Sequence, residues 1–231
     1  MQADVSVLHF PENFPCHAAA FLLGEIQRAI AGRGLCRLGL CGGQTPRAIH
    51  EQLAIPGADL PWDHVQITFG DERCVPPDHA DSNYRMARES LLDRVAIPEG
   101  NVFRIRGEIP AEDAARETEA RLAAVAARCG EARYVHDVLM LGVGEDGHTA
   151  SLFPGSPALA ETERSLVPVI GPKPPPQRVT MTFPLLNAAR HVCFLAADAG
   201  KRAVIDAILA GDERYPATRI RPARTTWLLG Y

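Results

Sequence analysis

Residues Val138 to Pro154 read Val-Leu-Met-Leu-Gly-Val-Gly-Glu-Asp-Gly-His-Thr-Ala-Ser-Leu-Phe-Pro, and this stretch constrains the fold more than any other. The continuous apolar run from Val138 to Leu141 predicts a strand buried on both faces, as at the centre of a parallel sheet. It empties at once into glycines and then into a charged, imidazole-bearing cluster. In α/β sheets, ligands bind in the crevice outside the carboxyl ends of such strands. Gly142, Gly144 and Gly147 allow positive φ or close backbone approach to a ligand, and His148 is expected in the first turn of a short helix. An imidazole can take a proton near neutral pH, so the functional reading centres on His148.

The spacing Gly142-x-Gly144-x-x-Gly147 after a strand also matches a dinucleotide-binding fingerprint. Two features argue against that use. Glu145 and Asp146 would set negative charge where a pyrophosphate must lie, and Phe153-Pro154-Gly155 ends any helix too soon for a dinucleotide-fold crossover.

The rest of the chain alternates strand and helix patterns. Val5–Phe10 predicts a strand and 15–33 a helix that Gly32 and Gly34 end; Leu35–Leu40 predicts a second strand. That strand runs into Cys41-Gly42-Gly43-Gln44-Thr45-Pro46, with Thr45 placed as N-cap and Pro46 as the first helical residue. A glycine turn entering a helix offers free N–H groups and a hydroxyl to an anion, although a tight β-α turn has the same look. Val65–Phe69 predicts a strand, so Asp71 and Arg73 just beyond it should face the crevice. Helices are expected over 83–94, 110–129, 184–189 and from Lys201 onward, and further strands over 102–105, 192–196 and 225–229. The stiff segment Gly171-Pro-Lys-Pro-Pro-Pro-Gln177 is expected at the rim of the site, delivering Arg178 into it. Lys201 in a first helical turn opposes the helix dipole, which hints that it answers a ligand's charge; an idle surface lysine would look the same. The pattern predicts one α/β domain over residues 1–231, doubly wound, with a mostly parallel sheet and helices on both faces.

The formal net charge of −4 excludes bulk electrostatic capture of nucleic acid or anionic membrane, so an anionic ligand must meet a local cluster. Neither a signal-peptide pattern nor an apolar run of bilayer length is present, and a cytoplasmic location is expected. The 6 cysteines form no Cys-x-x-Cys pair and predict neither a disulfide framework nor a zinc ribbon. Asp71, Glu72, Asp78, His79 and Asp81 lack the spacing of a metal-ligand set, so no metal is expected. Ser151, three residues after His148, could be a nucleophile, but a capping or packing serine is the commoner case. Arg73, Arg178, Lys201 and a helix N-terminus together suit a phosphate on a small substrate.

The motifs Cys41-Gly-Gly-Gln-Thr-Pro46, Gly70-Asp-Glu-Arg73, Asp81-Ser-Asn-Tyr84, Leu141 to Pro154, Arg178-Val-Thr180 and Gly200-Lys201 resemble, in order, those of the 6-phosphogluconolactonase family. The Gly-Gly-x-Thr-Pro turn is shared with the related glucosamine-6-phosphate deaminases. The resemblance implies hydrolysis of 6-phosphogluconolactone, a sugar-phosphate lactone, without metal or organic cofactor, by a monomer or small homo-oligomer. It implies His148 as general base, with Asp71 and Arg73 orienting the sugar ring or the imidazole. It places substrate binding at Gly42, Gly43, Gln44, Thr45, Gly144, Asp146, Gly147, Arg178 and Lys201. Cys41 and Gln44 stand where the family more often has serine, a departure that bears on phosphate affinity rather than reaction type. A sugar-phosphate deaminase or isomerase, with Asp71 as base and His148 opening the ring, is the nearest alternative. A silent sugar-phosphate-binding domain is the other.

Overall fold

The computed structural model describes residues 4–55 and 60–231. Its strands are β1 (Asp4–His9), β2 (Cys36–Leu40), β3 (Val65–Phe69), β4 (Asp71–Arg73), β5 (Val102–Phe103), β6 (Val138–Gly142), β7 (Leu166–Ile170), β8 (Gln177–Met181), β9 (His191–Ala196) and β10 (Arg224–Leu229). The helices are α1 (Phe14–Arg33), α2 (Gln44–Leu53), α3 (Asn83–Ser90), α4 (Ala111–Arg128), α5 (Phe183–Leu186) and α6 (Arg202–Leu209).

The apolar run at Val138 is the middle strand of a seven-stranded sheet in the order β1-β10-β9-β6-β2-β3-β5, with every pairing parallel. Parallel strands must be covered on both faces, and β2, β6 and β9 are buried along almost their whole length. Chain order explains the cover. From β1 through β2 and β3 to β5 the chain moves one way across the sheet; from β5 it returns to β6 and continues through β9 to β10. Right-handed crossovers then put α1, α2 and α3 on one face and α4 and α6 on the other. Consistent with this, α2 packs against both α1 and α3. The direction reverses between β2 and β6, so the crevice at their carboxyl ends is a topological switch point.

A second sheet of three antiparallel strands, β4-β8-β7, lies beside this crevice and was not expected from the pattern. Asp71 and Arg73 therefore sit on a strand of their own, opposite Thr180 and Arg178 of β8, rather than on a free loop after β3. The Pro-rich segment is the connection between β7 and β8, whose ends pair as Ile170 with Gln177.

Two local expectations are corrected. Helix α2 begins at Gln44, one residue before the expected cap, and Gly43 is the N-cap with φ 112° and no capping side chain. A backbone in that region suits glycine, and it moves Pro46 to the third helical position. His148 is not helical: Gly147 (φ 71°) and Ala150 (φ 48°) both take left-handed backbone, which turns the chain twice within four residues and leaves Thr149 bridged to Leu152.

Candidate active site

A cavity of about 230 Å³ opens at the switch point. Gly42, Gly43, Gln44 and Thr45 line it from the β2–α2 turn, Asp71 and Arg73 from β4, Gly144 and His148 from the loop after β6, Arg178 from β8, and Lys201 from the turn before α6. Asp146 and Gly147 lie off this surface. Asp146 stands behind the imidazole, and Gly147 is a buried turn where a Cβ would lie 2.4 Å from the Tyr215 ring. Asn83, the first residue of α3, also lines the cavity; it belongs to the Asp81-Ser-Asn-Tyr84 motif, but the spacing gave it no role.

The imidazole is held by the residue two before it. His148 Nδ1 lies 2.5 Å from Asp146 Oδ1, and the His148 amide donates to the same oxygen at 3.2 Å. Burial pushes the Asp146 carboxyl up, but the hydrogen bond and charge of His148 outweigh it and hold the group below the usual aspartate range. An ionised carboxylate only accepts, so Nδ1 carries a proton, and in the neutral form of the ring Nε2 is the nitrogen with the free lone pair. The ring packs on Phe153 at 4.6 Å between centroids, and its side chain is 30% exposed, so it meets water rather than hydrocarbon. Gly144 makes room for it: a Cβ there would lie 2.1 Å from His148 Nδ1.

On the other side the cavity is cationic. Among the described residues, Arg73, Arg178 and Lys201 have no carboxylate within ion-pair distance, whereas most other arginines are paired. Arg178 is buried; its guanidinium donates to the Lys173 and Pro175 carbonyls at 3.2 Å each and stacks 5.4 Å from the Phe153 ring. Burial, and next the charge of Arg73, push its pKa down, with Asp71 acting the other way. Arg73 donates to the Asp81 carbonyl at 2.6 Å, and its buried Nε has no partner among the described residues. Between these cations the start of α2 presents the amides of Gln44 and Thr45, which cannot bond within the helix. The absent capping side chain leaves that anion position clear.

Asp71 forms the floor and is 6% exposed. Its Oδ2 accepts from Ser151 Oγ at 2.6 Å and its Oδ1 from Asn83 Nδ2 at 3.2 Å. Ser151 is fully buried and does not reach the cavity, so it is not placed as a nucleophile. Cys41, also buried, has its thiol pushed up by burial and then by Asp71. No group of three or more His, Cys, Asp or Glu residues among the described residues could hold a metal ion. No described helix is long and apolar enough to cross a membrane.

A family model described as "Glucosamine-6-phosphate isomerases/6-phosphogluconolactonase" matches residues 11–229. The chain belongs to this glucosamine-6-phosphate isomerase/6-phosphogluconolactonase family. Within it, the chain is 44% identical to a human 6-phosphogluconolactonase over 97% of this chain and 90% of that protein. It is 41% identical to one from Synechocystis, over 99% and 96%. The crystal structure of a 6-phosphogluconolactonase from Thermotoga maritima superposes with a TM-score of 0.87 at 26% identity, covering 99% of this chain and 100% of that one. The fold is therefore shared with that structure over the full length of the chain.

Proposed function

We propose that the chain hydrolyses 6-phospho-D-glucono-1,5-lactone to 6-phospho-D-gluconate at this cavity, the second step of the oxidative pentose phosphate pathway. The observation that carries the proposal is His148, backed by Asp146, facing the same small cavity as three cations without carboxylate partners among the described residues. The substrate phosphate sits among Arg178, Lys201, Thr45 and the α2 N-terminus, which brings the lactone carbonyl to His148. Nε2 takes a proton from water as the oxygen attacks the carbonyl carbon. The tetrahedral oxyanion then collapses, the ring C–O bond breaks, and the imidazolium returns its proton to the departing ring oxygen. A lactone is an activated ester, so a positioned base and a tethering phosphate suffice, and binding energy at the phosphate becomes orientation at the carbonyl. No serine lines the cavity among the described residues, and the thiol of Cys41, which does line it, is pushed up by burial and by Asp71 and so held protonated, which agrees with direct attack by water. A cytoplasmic location and a monomer or small homo-oligomer complete the proposal.

Acid release from the lactone, measured against spontaneous hydrolysis, tests it, with ammonia release from glucosamine 6-phosphate as the control for the other chemistry named in the family. The wild-type chain accelerates the first and not the second, and His148→Ala lowers kcat by about 10²–10⁴-fold with little change in KM. Ammonia release, or a His148→Ala protein as active as wild type, overturns the assignment.

A further inference from the structure

The mechanism above leaves one buried link unused. Ser151 Oγ donates to Asp71 Oδ2 at 2.6 Å across 80 residues of sequence, joining the His148 loop to the small sheet. The contact is built from both sides. Left-handed Ala150 turns Ser151 away from the cavity, and the Ser151 amide donates to Thr180 Oγ1 at 3.0 Å on β8. On the far side, Asn83 Nδ2 donates to the Asp71 carbonyl at 2.9 Å and to its Oδ1 at 3.2 Å. Both partners are acceptors, so the amide nitrogen must face them. Gly42 packs so tightly on Asn83 that a Cβ would lie 2.0 Å from Asn83 Oδ1, which also ties the phosphate turn to Asp71.

Hydrogen-bond accounting gives the consequence. A carboxylate offers about four acceptor positions, and Ser151 and Asn83 take one on each oxygen. Asp71 keeps its remaining lone pairs for the cavity that it floors, and nothing but a donor can satisfy them. We propose that Ser151 is a positioning residue for ring recognition: it fixes the Asp71 carboxylate so that it accepts from one hydroxyl of the substrate ring, making the site selective for a ring that carries that hydroxyl. This rests on the lactone reading for the choice of substrate. A site built to bond a hydroxyl rejects the analogue lacking it far more strongly than an apolar pocket rejects a small change of size.

The test is Ser151→Ala, with kcat and KM measured on 6-phosphogluconolactone and on analogues each lacking one ring hydroxyl, and with the melting-temperature shift caused by inorganic phosphate as a check on the phosphate end. The expected result is a KM raised about tenfold on the full lactone, kcat within about threefold, and an unchanged phosphate shift. The penalty disappears for one analogue only. A loss of kcat at constant KM, or an equal penalty on every analogue, overturns the proposal. If Ser151→Ala does not fold, Ser151→Cys carries the same test, because it nearly keeps the size and replaces a strong donor to Asp71 by a weak one; it must spare one analogue only, and a uniform loss refutes the idea. Should the wild-type chain show no lactone hydrolysis, the functional reading fails by itself. Calorimetric binding of 6-phosphogluconate and its deoxy forms to the same variants then decides the role of Ser151.

Discussion

Arg73 and Arg178 occupy directly opposed positions on β4 and β8. Like charges at such positions repel, and one of the pair is buried. The relationship makes sense when an anion lies between them, since a phosphate accepts charge-assisted hydrogen bonds from both. Arg178→Ala is therefore expected to raise KM for the lactone by about 10–100-fold while kcat stays within a few-fold, as for loss of an interaction made equally in ground and transition states. It should also abolish most of the thermal stabilisation that millimolar phosphate gives the wild-type protein. A selective loss of kcat would place Arg178 at the reacting carbonyl instead.

Asp146 fixes the tautomer of His148 without touching the cavity. In Asp146→Asn the amide offers both a donor and an acceptor and no charge, so Nδ1–H loses its fixed partner and the ring can present the wrong nitrogen. Steady-state kinetics should show kcat reduced by about 10²-fold and KM within about threefold. Because its carboxyl is held below the ordinary aspartate range, Asp146 stays ionised throughout neutral pH, and the defect should persist across that range. A variant with normal kcat would show that the 2.5 Å contact does not orient the base.

Gly144 offers an independent route to the same pair. Its Cβ would lie 2.1 Å from His148 Nδ1 and 2.7 Å from Asp146 Oδ1, distances no real side chain tolerates. Gly144→Ala must push the imidazole off Asp146, and the kinetic pattern should copy that of Asp146→Asn, with inorganic phosphate still raising the melting temperature. Combining the two changes should cost little more than either alone, because residues acting as a unit are non-additive.

Much of this was legible in the sequence where a single interaction dominates. Val138–Leu141 is apolar without a break and became the central strand; Val65–Phe69 came out with the bounds read from its pattern. The small sheet was not legible. Asp71-Glu-Arg73 carries no apolar alternation, and β7 holds Pro168 in its middle, a residue tolerated because β7 is an edge strand. The helix expected at His148 failed for a similar reason: the turn is set by Gly147 against Tyr215, a contact 68 residues away that no local pattern encodes. His148, Arg178 and Lys201 could be named from their positions after strands or turns. Asn83 and Ser151 could not, because their partners on β4 are distant in sequence.

Two buried histidines outside the site make stability pH-dependent in a predictable direction. His50 is fully buried, with Nδ1 3.2 Å from Ser90 Oγ, and burial lowers its pKa to about 4. His136, equally buried and bonded through Nε2 to Thr68 Oγ1 at 2.8 Å, is lowered to about 3, by burial first and then by the charge of Arg37. A free histidine titrates near 6.5. Between about pH 6.5 and these lowered values the unfolded chain holds protons that the native chain does not, so stability is full above that window and falls as pH drops through it. Each group contributes a slope of up to about 1.4 kcal/mol per pH unit. Buried Glu72, its carboxyl pushed up by burial, titrates toward the same window, so the histidine share is isolated by comparing wild type with a variant lacking one histidine. Urea unfolding of wild type should therefore lose stability steadily from pH 6.5 to 5. His50→Gln, less stable at pH 8 because its polar end loses a fitted pocket, should show a slope shallower by about one group's share. An identical slope in the two proteins would mean that His50 is already protonated, or free to protonate, in the folded state.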